Sequence, residues 1–520
     1  MRLIEIVSTP LLLLSVFCVV SLLIRGVTIF FSSGWFSRGF AGDSSVHLQI
    51  IKQLKKKSKK IMIENYVIPN KMTYPILFHR FCCLFPTSFI KKYSFVPNLL
   101  IYVVSFLFFL IVSLNYLQIS KIGNQIYFFT AFLLLQLLSI QNLVSAGPAI
   151  AYIKLSSRLL AKVACAFFVC FLFFHLEFNY QSCFFIASIF AAVGFLSGTF
   201  AAQFLLFFCV LHCTFSMQFT AFLILATGLL LSIILSSGYS LRSITGMVKY
   251  WKIYFSRVKR SRYTAPVLSS LINLKEIFLN LKNKKFKNIL KHIYKREPTR
   301  ALIYYPETIF IIFLITFINN DFLQLNTIYI SVLVIYLLTS CKIFNFLGES
   351  YRYLEYGLFY LNPIALFLLF GLNNNNINDL FYLIGFVVYT IICSILINYF
   401  FGHTKQSATD NLTVFISKLN ISKNEVVFPV SMRLGADIVA RTDCKSFWWQ
   451  PGGITDISMY DDYLHEYPYL SLNWRKLCEE HNVDYIIVDK LAESRFEDRY
   501  NFSDLNVIHQ DDYYKAYKYS

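Results

Sequence analysis

Apolar runs separated by short polar stretches dominate the chain up to about residue 402. Crossing about 30 Å of hydrocarbon takes about 20 apolar residues as a helix. Runs that approach this length lie at Leu3–Ile24, Leu99–Leu117, Ile126–Val144, Leu159–Leu176, Leu302–Ile318, Leu325–Phe346, Leu358–Leu372 and Leu380–Phe401. Cys183–Ser236 is too long for one helix and holds two long spans or three short ones, with Ser197-Gly198-Thr199 as a natural break. The Leu3–Ile24 run exceeds a signal-peptide core and lacks a small-x-small cleavage site, so it reads as a retained first helix. The pattern is that of a polytopic α-helical membrane protein with about 10–12 transmembrane helices. From His403 the period changes. Glu425–Val430 and Val483–Asp489 read as short buried strands, and Trp474–His481 as a helix before the second. This predicts a transmembrane domain over 1–402 and a small soluble α/β domain over 403–520.

Composition agrees. The 520 residues are 56% hydrophobic and only 15% charged, well below the charge a soluble domain carries. The net charge is +19, yet residues 403–520 hold 13 Lys+Arg against 18 Asp+Glu. The positive excess therefore belongs to the membrane part, where it suits anionic membrane lipids better than nucleic acid. The 12 cysteines fall mostly inside apolar runs, as Cys165, Cys170, Cys209 and Cys213 do. They read as small core side chains and show no metal-ligand spacing.

The chemistry concentrates in a few places. The loop over 25–96 opens with Gly42-Asp43-Ser44-Ser45-Val46-His47, and helical spacing puts Asp43 and His47 on one face. Asp43 equally suits a plain helix cap, and His47 a structural histidine. Val46, Ile50, Ile51, Leu54 and Ile61 beside Lys52–Lys60 predict an amphipathic helix in the headgroup region or a solvated basic face. Pro75 and Pro86 bracket a short helical stretch preceded by Tyr74 and containing His79. Lys154, Arg158 and Lys162 form a basic stripe at one helix end, where they bind phosphate or simply snorkel. A basic loop over 238–300 carries Arg257–Arg262 and Lys282–Lys285 and is most simply cytoplasmic. Glu349, Arg352, Tyr353 and Glu355 put three charges beside apolar spans, which is costly unless they pair or function. Asp461, Asp462, His465 and Glu466 fit no standard ligand set and read as a solvated acidic loop.

Four features together resemble bacterial integral-membrane glycosyltransferases of the GT-C superfold. They are the acid after the first span, the Tyr74-Pro75-Ile76-Leu77-Phe78-His79 segment, the Gly348-Glu349-Ser350-Tyr351-Arg352-Tyr353-Leu354-Glu355-Tyr356 stretch, and a small α/β tail. The resemblance implies a polyprenyl-phosphate-sugar donor, a glycan, lipid or protein acceptor, and an active site on the outer face of the bacterial cytoplasmic membrane. It makes Asp43 the catalytic carboxylate. His47, Tyr74, His79, Lys154, Arg158, Glu349, Arg352, Tyr353 and Glu355 become substrate-binding candidates. Some members of this superfold use a metal. The first loop offers no second carboxylate beside Asp43, so a metal-independent reaction with no cofactor is expected.

Two other readings share the layout. A polymerase or ligase acting on lipid-linked oligosaccharide would keep the basic residues without Asp43 in the same role. A transporter or flippase of lipid-linked sugar would call for charges near span centres and inverted repeats, whereas the charges here cluster at span ends. The first loop has 11 Lys+Arg against 2 Asp+Glu between Gly26 and Val96, which opposes an outer location. Its length of about 70 residues exceeds the reach of the positive-inside rule, about 60.

Overall fold

The computed structural model describes residues 43–56, 65–67, 73–117, 155–253, 274–283, 288–289, 296–297, 299–317, 322–341, 344, 347, 349–371, 385, 388–389, 392–393, 411–430, 432–447, 473–490 and 500–519. Expectations for Leu3–Ile24, Ile126–Val144, Lys154 and the Asp461–Glu466 group lie outside them. The first-loop elements are α1 (Asp43–Lys55), α2 (Leu77–Cys82) and α3 (Thr87–Lys92). The membrane part continues with α4 (Val96–Tyr116), α5 (Arg158–Phe178), α6 (Gln181–Ser197), α7 (Thr199–Ser216), α8 (Thr220–Leu235), α9 (Tyr239–Ile253) and α10 (Leu274–Lys282). Then come α11 (Thr299–Tyr304), α12 (Pro306–Phe317), α13 (Leu323–Ser340), α14 (Tyr351–Leu358) and α15 (Leu361–Gly371).

Among the described residues four helices are long and apolar enough to cross a membrane, α4, α5, α7 and α13, or five if α8 and α9, which meet at a sharp bend, count as one span. At 21 residues α4 and α5 each reach about 30 Å at about 1.5 Å per residue. The Cys183–Ser236 region resolves into the three short helices α6, α7 and α8. The expected break is at Gly198, and a second falls at Met217, whose φ of 55° turns the chain sharply. α5 is central: 83% of its apolar window is covered by protein, against 44–56% for the other three spans. Its phenylalanines carry the packing, with Phe167 and Phe171 against Phe190 at ring distances of 4.7 and 5.7 Å. Gly228 lets α8 press onto α6, since a Cβ there would lie 2.5 Å from Ala191 Cβ.

The tail contains α16 (Asn411–Ser417), β1 (Val426–Pro429), α17 (Met432–Thr442), β2 (Lys445–Ser446), α18 (Trp474–Glu480), β3 (Tyr485–Asp489), β4 (Val507–Gln510) and β5 (Tyr514–Lys518). The sheet order is β2-β1-β3-β5-β4, with β2, β1 and β3 parallel and the last two antiparallel. This is the small α/β domain that the apolar strands and the helix before the second of them predict.

The helix ends sort to two faces. At one face Tyr116 Oη meets Ser182 Oγ (3.1 Å), and the Gln324 amide donates to Glu177 Oε2 (3.2 Å). At the other, Tyr74 Oη meets Ser157 Oγ (2.9 Å), Tyr239 Oη donates to Tyr74 O (2.9 Å) and Tyr336 Oη to Glu297 Oε2 (2.7 Å). The first loop and both described ends of the basic loop therefore share a face. This corrects the expectation that the basic loop lies in the cytoplasm while the first loop lies outside.

The tail joins the same face. Val46, Ile50 and Tyr66 cluster with Ala436 and Val439 of α17. Tyr66 forms a parallel bridge to Ser446 on β2, and Val67 N donates to Ser446 O (3.0 Å). The other side of α1 is covered as well, Leu48 and Ile51 packing with Phe78, Cys82 and Ile90. So the apolar positions of α1 meet protein on both sides rather than headgroups or water, while Lys57–Lys60 and Ile61 of the same stretch lie outside the described residues. A topology reporter inserted between Ser58 and Lys71 should give the same compartment signal as one placed after Lys518. Opposite signals would break this arrangement.

Candidate functional site

The first loop supplies the site floor. Asp43 opens α1, and the side chains described from Ser44 to Ile51 are all buried. His47, one helical turn beyond Asp43, points its Nδ1 at His79 Nε2 across 2.7 Å, and the two rings stack with centroids 4.9 Å apart. Burial holds the His79 imidazole well below the ordinary histidine range, and the neighbouring His47 pushes in the same direction. A pair this close carries at most one added proton, because two imidazolium charges would repel in a dry setting. The Tyr74 ring stands edge-on to both histidines at 5.8 Å.

Tyr74 then links the loop to the membrane helices. Its hydroxyl meets Ser157, the residue before α5, and Arg158 follows as the first residue of that helix. Tyr356 Oη of α14 donates to Arg158 O (3.3 Å). Phe200 packs edge-on to Tyr356 at 4.9 Å and lies 5.5 Å beneath the Arg352 guanidinium. Arg352 pairs with Glu349 one turn earlier, and Tyr351 Oη also donates to Glu349 Oε2 (2.6 Å). Arg352 Nε is buried with no acceptor among the described residues. A continuous contact path therefore runs from the first-loop histidines through Tyr74, Ser157 and Tyr356 to Arg352.

Two predicted residues are placed otherwise. Tyr353 is fully buried beside Phe200 and Phe204 and donates to Leu347 O (3.3 Å). Glu355 turns into the helix packing, where its Oε1 takes Lys162 Nζ at 3.1 Å. That ammonium also sits 3.5 Å above the Phe359 ring. Lys154 lies outside the described residues. Sequence reasoning passed over Ser157, Phe200 and Tyr239, which carry no motif of their own. Tyr356 lay inside the quoted stretch as one aromatic among several. Among the described residues no three His, Cys, Asp or Glu side chains converge as a metal-holding group.

With this geometry in place, the chain can be set beside known proteins. No family model matches it, and no curated protein matches it. Solved structures do. The apo structure of ArnT from Cupriavidus metallidurans matches at a TM-score of 0.55 and 10% identity, covering 97% of each chain. The same enzyme bound to undecaprenyl phosphate matches at 0.53 and 11%, again over 97% of each. The archaeal oligosaccharyltransferase AglB from Archaeoglobus fulgidus, in complex with an inhibitory peptide and a dolichol-phosphate, matches at 0.51 and 11%, covering 94% of this chain and 70% of its own. The chain thus has the fold of ArnT and AglB, the architecture that the resemblance implies.

The Lys162–Glu355 pair gives a stability test. Removing one partner of a buried pair strands a charge and costs about 3–5 kcal/mol, while replacing both by apolar groups costs far less. Lys162→Met and Glu355→Met should each destabilise the protein in mixed-micelle unfolding, and the double variant should recover most of the loss. A double variant as unstable as the sum of the singles would show that the two groups are not coupled.

Proposed function

We propose that this protein is a glycosyltransferase that moves a sugar from a polyprenyl-phosphate-linked donor to a cell-envelope glycan, lipid or protein acceptor. One observation carries the reading: the first loop is tied to the start of α5, with Tyr74 meeting both His47 of the helix that Asp43 opens and Ser157 beside Arg158, and with Arg352 on the same contact path. ArnT, whose fold covers nearly the whole chain, is bound to undecaprenyl phosphate in one of its structures, which supports a donor of that class.

The chemistry follows from charge. The Asp43 carboxylate takes the proton of the acceptor hydroxyl as that oxygen attacks the anomeric carbon. The bond from that carbon to the phosphate oxygen breaks, and the electron pair leaves on polyprenyl phosphate. This leaving group is already a stable anion, so it calls for positive charge rather than a proton. Arg158, Arg352, whose Nε has no acceptor among the described residues, and the positive N-terminal end of α5 supply that charge. Glu349 holds the Arg352 fork in place, and Tyr74 ties the loop to the arginine-bearing helix. His47 and His79 keep α1 seated, with His47 on the same face as the base. No step in this scheme calls for a metal, so added chelator should leave transfer unchanged.

The likeness to an oligosaccharyltransferase favours one second reading within the same chemistry, transfer of a lipid-linked oligosaccharide by a polymerase or ligase. The size of the transferred glycan separates the two. We place the shared face of first loop, basic loop and tail outside the bacterial cytoplasmic membrane. The positive charge of the first and basic loops opposes this, and the first loop's length of about 70 residues, beyond the reach of the positive-inside rule, softens that opposition without removing it. A cytoplasmic signal from first-loop reporters would withdraw this placement.

Asp43→Asn should lower transfer by roughly 10²–10⁴-fold, the usual worth of a general base, with protein abundance unchanged. Arg158→Ala should weaken use of the lipid-linked donor. Full transfer by Asp43→Asn would remove Asp43 as the base.

A further inference from the structure

We infer that the C-terminal domain is a positioning element for the first-loop helix, acting through Asp437. The inference rests on the proposed function, because it concerns the helix that Asp43 opens. Ser45, fully buried and two residues beyond Asp43, donates its hydroxyl to Asp437 Oδ1 at 2.5 Å. Asp437 is itself fixed from one turn onward, where Arg441 Nη1 donates to its carbonyl (2.9 Å) and lies 4.0 Å from the same carboxylate oxygen. The far end of α1 is held independently by an ion pair between Lys52 and Asp443, the residue after α17. Between the two, Val46 and Ile50 pack on Ala436 and Val439.

The clamp extends past the helix. Asn65 Nδ2 donates to Asp443 O (2.6 Å), and Ser446 N donates to Asn65 O (3.0 Å). The first loop thus adds a short rung to the open edge of the tail sheet at β2. Each contact joins residues nearly 400 positions apart, and together they grip α1 at its first turn, its middle and its end. A carboxylate that accepts a buried hydroxyl fixes the rotation of the helix about its own axis, which apolar packing alone does more loosely. Rotation of the first turn is what aims the Asp43 position. Tail and loop therefore form one working unit, with Asp437 acting on transfer through Ser45 and not by touching substrate.

The test uses the full chain. Asp437→Ala should lower kcat at least tenfold, leave KM for the lipid-linked donor within about twofold, and speed hydrogen exchange at the amides over residues 44–50. Asp437→Asn, whose amide oxygen still accepts from Ser45, should restore both. Ser45→Ala removes one hydroxyl and serves if Asp437→Ala accumulates poorly. It should reproduce the loss, and the double variant should be no worse than either single. Unchanged exchange in Asp437→Ala would overturn the clamp. Faster exchange with unchanged kcat would overturn the positioning role. If the native chain transfers no polyprenyl-phosphate-linked sugar, it is the proposed function that fails, and the exchange readout still decides whether the tail holds the helix.

Discussion

A backbone in hydrocarbon has no water to satisfy its N–H and C=O groups, so each crossing segment must close its hydrogen bonds within itself. Everything else here depends on that. It forces the chain into helices, and it confines turns, loops and the tail to the two faces. At the face away from the first loop, α5 and α6 are joined through Asn179 and Tyr180, and α7 and α8 through Met217 to Phe219. Asn179 and Met217 both take the left-handed conformation there, so the chain reverses at once. The first loop, the described ends of the basic loop and the tail lie together at the opposite face.

The site is assembled from pieces distant in sequence because no one segment could carry it. The first-loop helix brings an acid at its start and a buried histidine one turn on. The start of α5 brings Arg158, and α14 brings Arg352. Tyr74 joins the first two through Ser157, and Tyr356 joins the second to the third through Arg158 O. These are neutral hydroxyl contacts, which hold geometry without cancelling the charges they bring together.

Much of this architecture was legible in the residues. Apolar runs of membrane length gave α4, α5 and α13, and Gly198 marked a true break. The two central strands of the tail were visible in Glu425–Val430 and Val483–Asp489, whose near-continuous apolar character is what a strand buried on both faces needs, and the structure pairs them parallel. The β4–β5 hairpin was not, because its Tyr-Lys alternation carries little apolar signal. α17 was hidden by its charges, since Arg433, Asp437 and Arg441 interrupt the apolar pattern in Met432–Thr442. The docking of α1 on α17 was also illegible. An amphipathic face reads the same whether lipid, water or another helix covers it, and only the partner's position decides. For the same reason Lys162 and Glu355 read as span-end charges, although the fold buries them against each other.

Ser45 and Asp437 are separated by 392 residues, so they are not made at the same time. At about 5–20 residues per second of synthesis, α1 emerges roughly 20–80 s before its partner helix exists. Throughout that interval Val46 and Ile50 have no α17 to cover them, and the lysines beside them have no Asp443 to meet. A nascent segment with an apolar stripe and a run of lysines has an obvious temporary resting place on an anionic lipid surface. The helix that opens the first loop therefore waits for the last hundred residues of the chain before the face formed by Val46 and Ile50 is covered.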